Sequence, residues 1–245
     1  MEIEFLILLA LIIFIASLVH GSIGFGFPMI ATPLIALITD IQTAIIYTLI
    51  PTLLVNIISI WSEGNFIQAF KRFYPLALFA MIGSAIGTQI LIYNSSDIFK
   101  LLLALAILFY LSINLIQYEF TWIYKKPKLS RFIFGLGAGI LSGLTNAMAP
   151  VLMMYTLESK FTKSEIIQAS NICFLFGKII QIILFSFAAV FTVQEMQHSF
   201  ILLLFVSIAL YIGIKIKFLI NSIYYTIFVK IILFVIAMLL ILQSI

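Results

Sequence analysis

Charge is scarce in this chain. Of 245 residues, 13 are Lys or Arg and 9 are Asp or Glu, whereas 64% are hydrophobic and the mean hydropathy is +1.27. A water-soluble domain of this length with so little charge would expose large apolar patches, so the composition points to an integral membrane protein. Cysteine is nearly absent. Cys173 stands alone, which excludes an intrachain disulfide, and the two histidines are isolated, so no Cys/His cluster suggests a metal. No nucleophile accompanies a base, no carboxylates are paired, and no GxxxxGK[ST] loop occurs. These absences argue against catalysis and ATP hydrolysis, and they imply no cofactor. The net charge of +4 comes from basic residues in short loops, where orientation in the bilayer is the commoner cause, so no nucleic acid is expected as a partner. A basic secretory start is missing too. The chain opens Met1-Glu2-Ile3-Glu4, and Phe5 onward reads as mature protein.

What the chain has in abundance is apolar runs of about 20 residues, the length of a bilayer-spanning helix; barrel strands would alternate over about 10. Residues Phe5 to Ile38 make one run of 34 positions, roughly 51 Å as straight helix against about 30 Å of hydrocarbon. Two helices of about 15 residues, turned at Gly21-Ser22-Ile23-Gly24-Phe25-Gly26, fit better and put the tip of a hairpin inside the membrane. Spans follow at Thr43 to Trp61, Phe73 to Tyr93 and Phe99 to Gln117. The most polar connection runs from Tyr118 to Ser130 and holds Lys125-Lys126-Pro127-Lys128. The second half reads as a hairpin at Phe132 to Leu157, then spans at Ile166 to Phe191, Phe200 to Ile214 and Tyr225 to Leu242.

The two halves echo each other. A shift of 122 positions superposes Ala16 on Ala138, Gly21 on Gly143, Pro28 on Pro150 and Leu53 on Leu175, and a shift of 126 puts Gly87 on Gly213. If each hairpin enters and leaves on one face, Lys71, Arg72, Lys125, Lys126, Lys128, Arg131, Lys160, Lys163, Lys215 and Lys217 share a face, and Lys100 falls on the other. If each opening run crossed once, the same cations would split six against five. The positive-inside rule therefore favours an inverted repeat with both termini outside the cytoplasm. The expected fold is an all-α integral membrane protein of two inverted repeats, residues 1–117 and 131–245, joined by a cytoplasmic linker at 118–130.

Lys178 sits mid-span, where a charge costs about 2.5–3.5 kcal/mol on insertion scales and is rarely kept without a use. Glu165, at the start of the same span, is roughly 20 Å away by helical rise, too far for an ion pair. The functional reading is a counter-charge for an anion; the alternative is a lysine snorkelling to an interface. Asn56 holds the matching place in the first half, and Asn171 and Gln181 lie near the face of Lys178. Asn56 converges with Lys178 on a ligand near mid-membrane, or else bonds a neighbouring helix. Gln89 and Asn114 suit interhelical bonds. At the tips, His20, Gly21, Ser22, Gly24 and Gly26 in one half, and Thr145 and Asn146 in the other, would meet the ligand. Half-helices starting near Phe27 and Ala149 would aim their free N–H groups at it. Close helix packing is the competing use for the small residues. His20 suits proton coupling, or a structural hydrogen bond. Trp61 and Trp122 suit interface anchoring.

The break His20-Gly21-Ser22-Ile23-Gly24-Phe25-Gly26-Phe27-Pro28, Tyr74-Pro75, Gly83-Ser84-Ala85-Ile86-Gly87-Thr88 and Gly139-Ile140-Leu141-Ser142-Gly143-Leu144-Thr145 with Pro150 together resemble the sulfite exporter TauE/SafE family. The resemblance covers nearly the whole chain. It implies a multi-spanning inner- or plasma-membrane permease for sulfite or small organosulfur anions such as sulfoacetate. The second tip departs from the family's glycine-rich pattern, with Asn146-Ala147-Met148-Ala149 where glycines are common.

The expected function is a secondary transporter that moves a small anion by alternating access, with proton coupling open. A passive channel and a non-transporting scaffold or accessory subunit are the alternatives. The expected partners are the anion, the lipid bilayer and, as an open case, a second copy of the chain in a homodimer.

Overall fold

The computed structural model describes residues 2–94, 97–113, 122–190, 192–217 and 222–244. All regular structure among them is helical: α1 (Glu2–Ile23), α2 (Phe27–Ala36), α3 (Ile41–Ser62), α4 (Phe66–Tyr93), α5 (Ile98–Ser112), α6 (Trp122–Lys125), α7 (Pro127–Thr145), α8 (Ala149–Glu158), α9 (Lys163–Phe187), α10 (Val193–Ile216) and α11 (Ser222–Ser244). Five of the described helices, α1, α3, α4, α9 and α10, are long and apolar enough to cross a bilayer. The coarse expectation of an all-α membrane protein holds. The end of the span expected to reach Gln117, with Asn114, and the start of the linker at 118–121 lie outside the described residues.

The helices start where polar caps satisfy the first amides. Asp40 accepts the Thr43 N–H at 2.9 Å, and Thr162 with Glu165 and Thr192 with Glu195 form capping boxes at α9 and α10. Both long runs break where expected, but the arms are unequal. α1 has 22 residues and α2 has 10, in place of two arms of about 15; α7 has 19 and α8 has 10. Hydropathy counts apolar residues and does not weigh where a turn falls among them. α4 begins at Phe66 and α10 at Val193, each seven residues before the expected span, because polar helical turns extend beyond the apolar run. α6 and the start of α7 occupy residues that read as linker.

Packing crosses between the halves. α1 packs on α10 and α7 on α4; α3 meets α9, α5 meets α11, and α9 and α10 also pack on α4 and α3 respectively. Glycine makes two of these contacts possible. A Cβ at Gly139 would stand 2.1 Å from the Ala80 carbonyl oxygen, and one at Gly143 would stand 2.6 Å from that of Ser84. At the other crossing, a Cβ at Gly21 would lie 2.7 Å from the Leu210 oxygen and one at Gly213 would lie 2.4 Å from that of Leu18. The small residues let backbones approach, the arrangement that drives helix association in lipid.

One end of the bundle is tied by polar contacts. Arg72 at the start of α4 pairs with Glu165 at the start of α9. Lys217 after α10 pairs with Glu63 after α3 at 2.6 Å, and Gln168 donates to the Gly64 carbonyl at 2.7 Å. The C-terminal end of α3 and the N-terminal end of α9 therefore share a face, and these two packed helices run antiparallel.

Gly139→Ala should destabilise the protein by about 1–3 kcal/mol through overpacking against α4. Gly137, on the same helix, has open space where a Cβ would go. Gly137→Ala should be neutral or stabilising by up to about 1 kcal/mol. Thermal unfolding of the two purified variants in one detergent checks the pair.

Candidate functional site

Helix interruption inside an apolar interior frees backbone groups that lipid cannot satisfy. At the first tip, Gly24 (φ 98°) and Gly26 (φ 103°) adopt backbone angles that favour glycine. At the second tip the turn is made by Asn146 (φ 66°), which stands at the Gly24 position when the halves are shifted by 122. Asparagine tolerates this left-handed conformation better than other side-chain-bearing residues, so the departure from glycine keeps the same turn.

Each tip is held by the other half. Asn171 on α9 donates its amide N–H to the Gly24 carbonyl at 2.7 Å. Asn146 donates to Thr32 Oγ1 at 2.7 Å and Thr48 Oγ1 at 2.9 Å, reaching α2 and α3. Thr145 is tied within the second tip, accepting the Ala147 N–H at 3.3 Å. His20 supports the first tip from below: its Nδ1 accepts the Phe27 N–H at 3.2 Å, and its Nε2 lies 2.8 Å from Ser59 Oγ on α3. Because Nδ1 accepts, the ring proton is on Nε2 and donates to Ser59. The first turn of α2 thus has fewer free amides than its sequence suggests. Phe27 N–H is taken by His20, Pro28 has none, and Met29 N–H goes to the Gly26 oxygen at 3.1 Å. Ser22 turns its hydroxyl back to the Val19 carbonyl at 2.8 Å. Gly21 faces α10, and its missing side chain answers to that packing rather than to the tip turn.

Lys178 is fully enclosed, which removes the snorkelling alternative. Its ammonium donates to Gln181 Oε1, and no carboxylate pairs with it among the described residues. Gln181 Nε2 in turn reaches the Ser142 carbonyl at 3.5 Å. The neighbouring Gly177 accepts from Ser84 Oγ at 3.2 Å, and a Cβ placed on it would lie 3.2 Å from Met148 of the second tip. α9 therefore touches both tips, the first through Asn171 and the second beside Lys178.

Asn56 and Lys178 both lie 15 residues into their helices, about 22 Å of rise from opposite ends of an antiparallel pair. Asn56 is as deeply buried, and neither its Oδ1 nor its Nδ2 has a hydrogen-bond partner in the protein, so it bonds neither Lys178 nor a neighbouring helix. The same holds for Asn146 Oδ1, Asn171 Oδ1, Ser142 Oγ and Ser170 Oγ. An orphaned buried polar group costs about 1–3 kcal/mol, so these atoms are candidates to meet a polar ligand. Thr32, Thr48, Ser59 and Ser84 also join the network. Hydroxyls in apolar runs commonly bond their own helix, as Thr48 also does with Ala44, so their sequence signal is weak.

Asn146→Gly should keep the turn and lose only its two hydroxyl contacts, costing about 1–2 kcal/mol. Asn146→Ala should cost more, because alanine also strains at positive φ. Chemical or thermal unfolding of both variants reads the difference.

Compared with family models, residues 9–240 match the model described as sulfite exporter TauE/SafE. Comparison with curated proteins and with solved structures gives no match. With both breaks and the enclosed lysine inside the matched region, the chain belongs to the sulfite exporter TauE/SafE family of multi-pass membrane transporters.

Proposed function

We propose that the protein is a secondary transporter of sulfite or a small organosulfur anion, working by alternating access in the cell (inner) membrane. The observation that carries this reading is Lys178: a fully enclosed lysine on α9 with a neutral amide as its partner, beside the second tip. A lone buried charge is costly, and an anion arriving at mid-membrane would offset that cost. Gln181 and Asn56 would supply amide N–H donors to it, and Asn146, Asn171, Thr145, Ser22, Gly24 and Gly26 would shape the tips. Gly21 and His20 fit a supporting role, as packing contact and cap.

An inverted repeat accounts for the pattern of contacts. Assign α1–α5 to one half and α7–α11 to the other. Exchange of the halves then turns the α1–α10 contact into α7–α4, α4–α9 into α10–α3, and leaves α3–α9 and α5–α11 unchanged. The hydrogen bond from His20 to Ser59 has its counterpart in Gln181 to Ser142, each position displaced by 122. Polar ties between the halves at the Arg72–Glu165 face, in a two-state bundle, are what would open and reform as access alternates. That face carries Arg72, Lys160, Arg131 and Lys217, which supports reading it as cytoplasmic with both termini outside.

Lys178→Met should cut sulfite flux into proteoliposomes about thirtyfold or more, the loss of about 2 kcal/mol of anion binding. Because a buried charge gives way to an apolar side chain, the unfolding midpoint should stay the same or rise. Undiminished flux would remove the lysine from the mechanism. Counterflow that saturates with internal sulfite is expected of an exchanger; flux that rises linearly with concentration would indicate a channel, and no flux of sulfite, sulfonate or chloride would indicate a scaffold.

A further inference from the structure

The face that carries the ion pairs also holds a cavity of about 200 Å³, separate from the tips, between α4, α6, α7 and the end of α8. Two guanidinium groups line it, those of Arg72 and Arg131. Arg72 is fixed in place: it pairs with Glu165 and lies over the rings of Phe73 and Phe161, 5.4 and 5.2 Å from their centroids. Arg131 has no acidic partner among the described residues. Ser159 and Tyr124 also line it. At the rim, the Lys160 ammonium lies 6.0 Å from the centroid of the Tyr124 ring. Glu165 is spent on Arg72, so the lining keeps a net positive charge.

The fork of an arginine matches a tetrahedral oxyanion in geometry as well as charge, and a lysine at the rim adds a second attraction without fixed direction. The location narrows the source. The cavity opens at the end of the bundle where aromatic rings cluster, with Tyr155 packed against Phe134 and Phe161 beneath it. Lys125, Lys126 and Lys128 follow along the adjoining α6 and the start of α7. Basic pockets between helix ends at a membrane face are suited to anionic headgroups, and flanking lysines strengthen the attraction to a negative leaflet.

We propose that this cavity binds the phosphate group of an anionic lipid headgroup, with Arg131 as its main contact and Arg72 in its wall. The site shares Arg72 with the tie to Glu165, but none of its residues belongs to the region around Lys178. A free phosphate ion shares the same chemistry, and the test separates the two sources.

The full chain is placed in nanodiscs of phosphatidylcholine, of phosphatidylcholine with phosphatidylglycerol, and of phosphatidylcholine with inorganic phosphate in the buffer, and the unfolding midpoint is followed. The wild type should unfold at a higher temperature with phosphatidylglycerol. Arg131→Gln should lose most of that increase and retain the lipid about tenfold more weakly in native mass spectrometry. Arg131→Lys should recover part of it. Lys100→Gln, which removes the same charge from the face opposite, should retain all of it. An increase with inorganic phosphate alone, abolished by Arg131→Gln, supports the site and names the free ion as its ligand. Equal responses of wild type and Arg131→Gln, or no response of the wild type to either phosphate source, would overturn the proposal. Should Arg131→Gln fail to fold, Lys160→Gln reads the same difference with a smaller expected loss.

Discussion

A helix that stops inside hydrocarbon must have its freed backbone groups satisfied by protein, and the rest of this structure follows from how that is done. Both tips are tied to the other half. The Gly24 carbonyl is met by Asn171 from the second half, and the Asn146 side chain is anchored on Thr32 and Thr48 of the first. Each half is thereby incomplete without the other, which explains why the tightest backbone contacts, at the Gly139–Ala80 and Gly213–Leu18 crossings, also run between halves.

Those cross-half anchors place polar atoms where the membrane has none. Once asparagines and hydroxyls are needed at both tips, a buried polar layer exists, and Lys178 sits within reach of it through Gln181 and Ser142. The layer is not fully paired inside the protein: Asn56, Asn146, Asn171, Ser142 and Ser170 each keep at least one orphaned atom. Structural glue would be expected to close on itself. We propose that the donors left unspent at Asn56, Ser142 and Ser170 serve an anion that comes and goes.

Much of the architecture was legible in the sequence because lipid imposes simple rules. Run length located the spans, and glycine with proline located both breaks, so that α2 and α8 start at Phe27 and Ala149 as expected. Lys178 was legible because one charge in an apolar run is conspicuous. Other features were hidden by chemistry that sequence does not separate. Gly21, Gly24 and Gly26 look alike in a string, yet Gly21 serves a helix crossing whereas the other two serve a turn. His20 beside a break suits a proton carrier or a structural hydrogen bond, and only its distance to the Phe27 N–H brings out the cap. Arm lengths were missed because hydropathy is blind to where within a run the chain turns. Thr32, Thr48 and Ser59 were passed over because a hydroxyl in a membrane helix ordinarily bonds its own backbone.

The central claim is that an anion is held beside Lys178 between the two tips. The most direct measurement is an experimental structure with selenite, an electron-rich analogue of sulfite, located by its anomalous signal. The account predicts a selenium peak within contact distance of the Lys178 ammonium, flanked by Gln181 and the second tip. A selenium peak elsewhere, with the Lys178 ammonium still bonded only to Gln181, would contradict it.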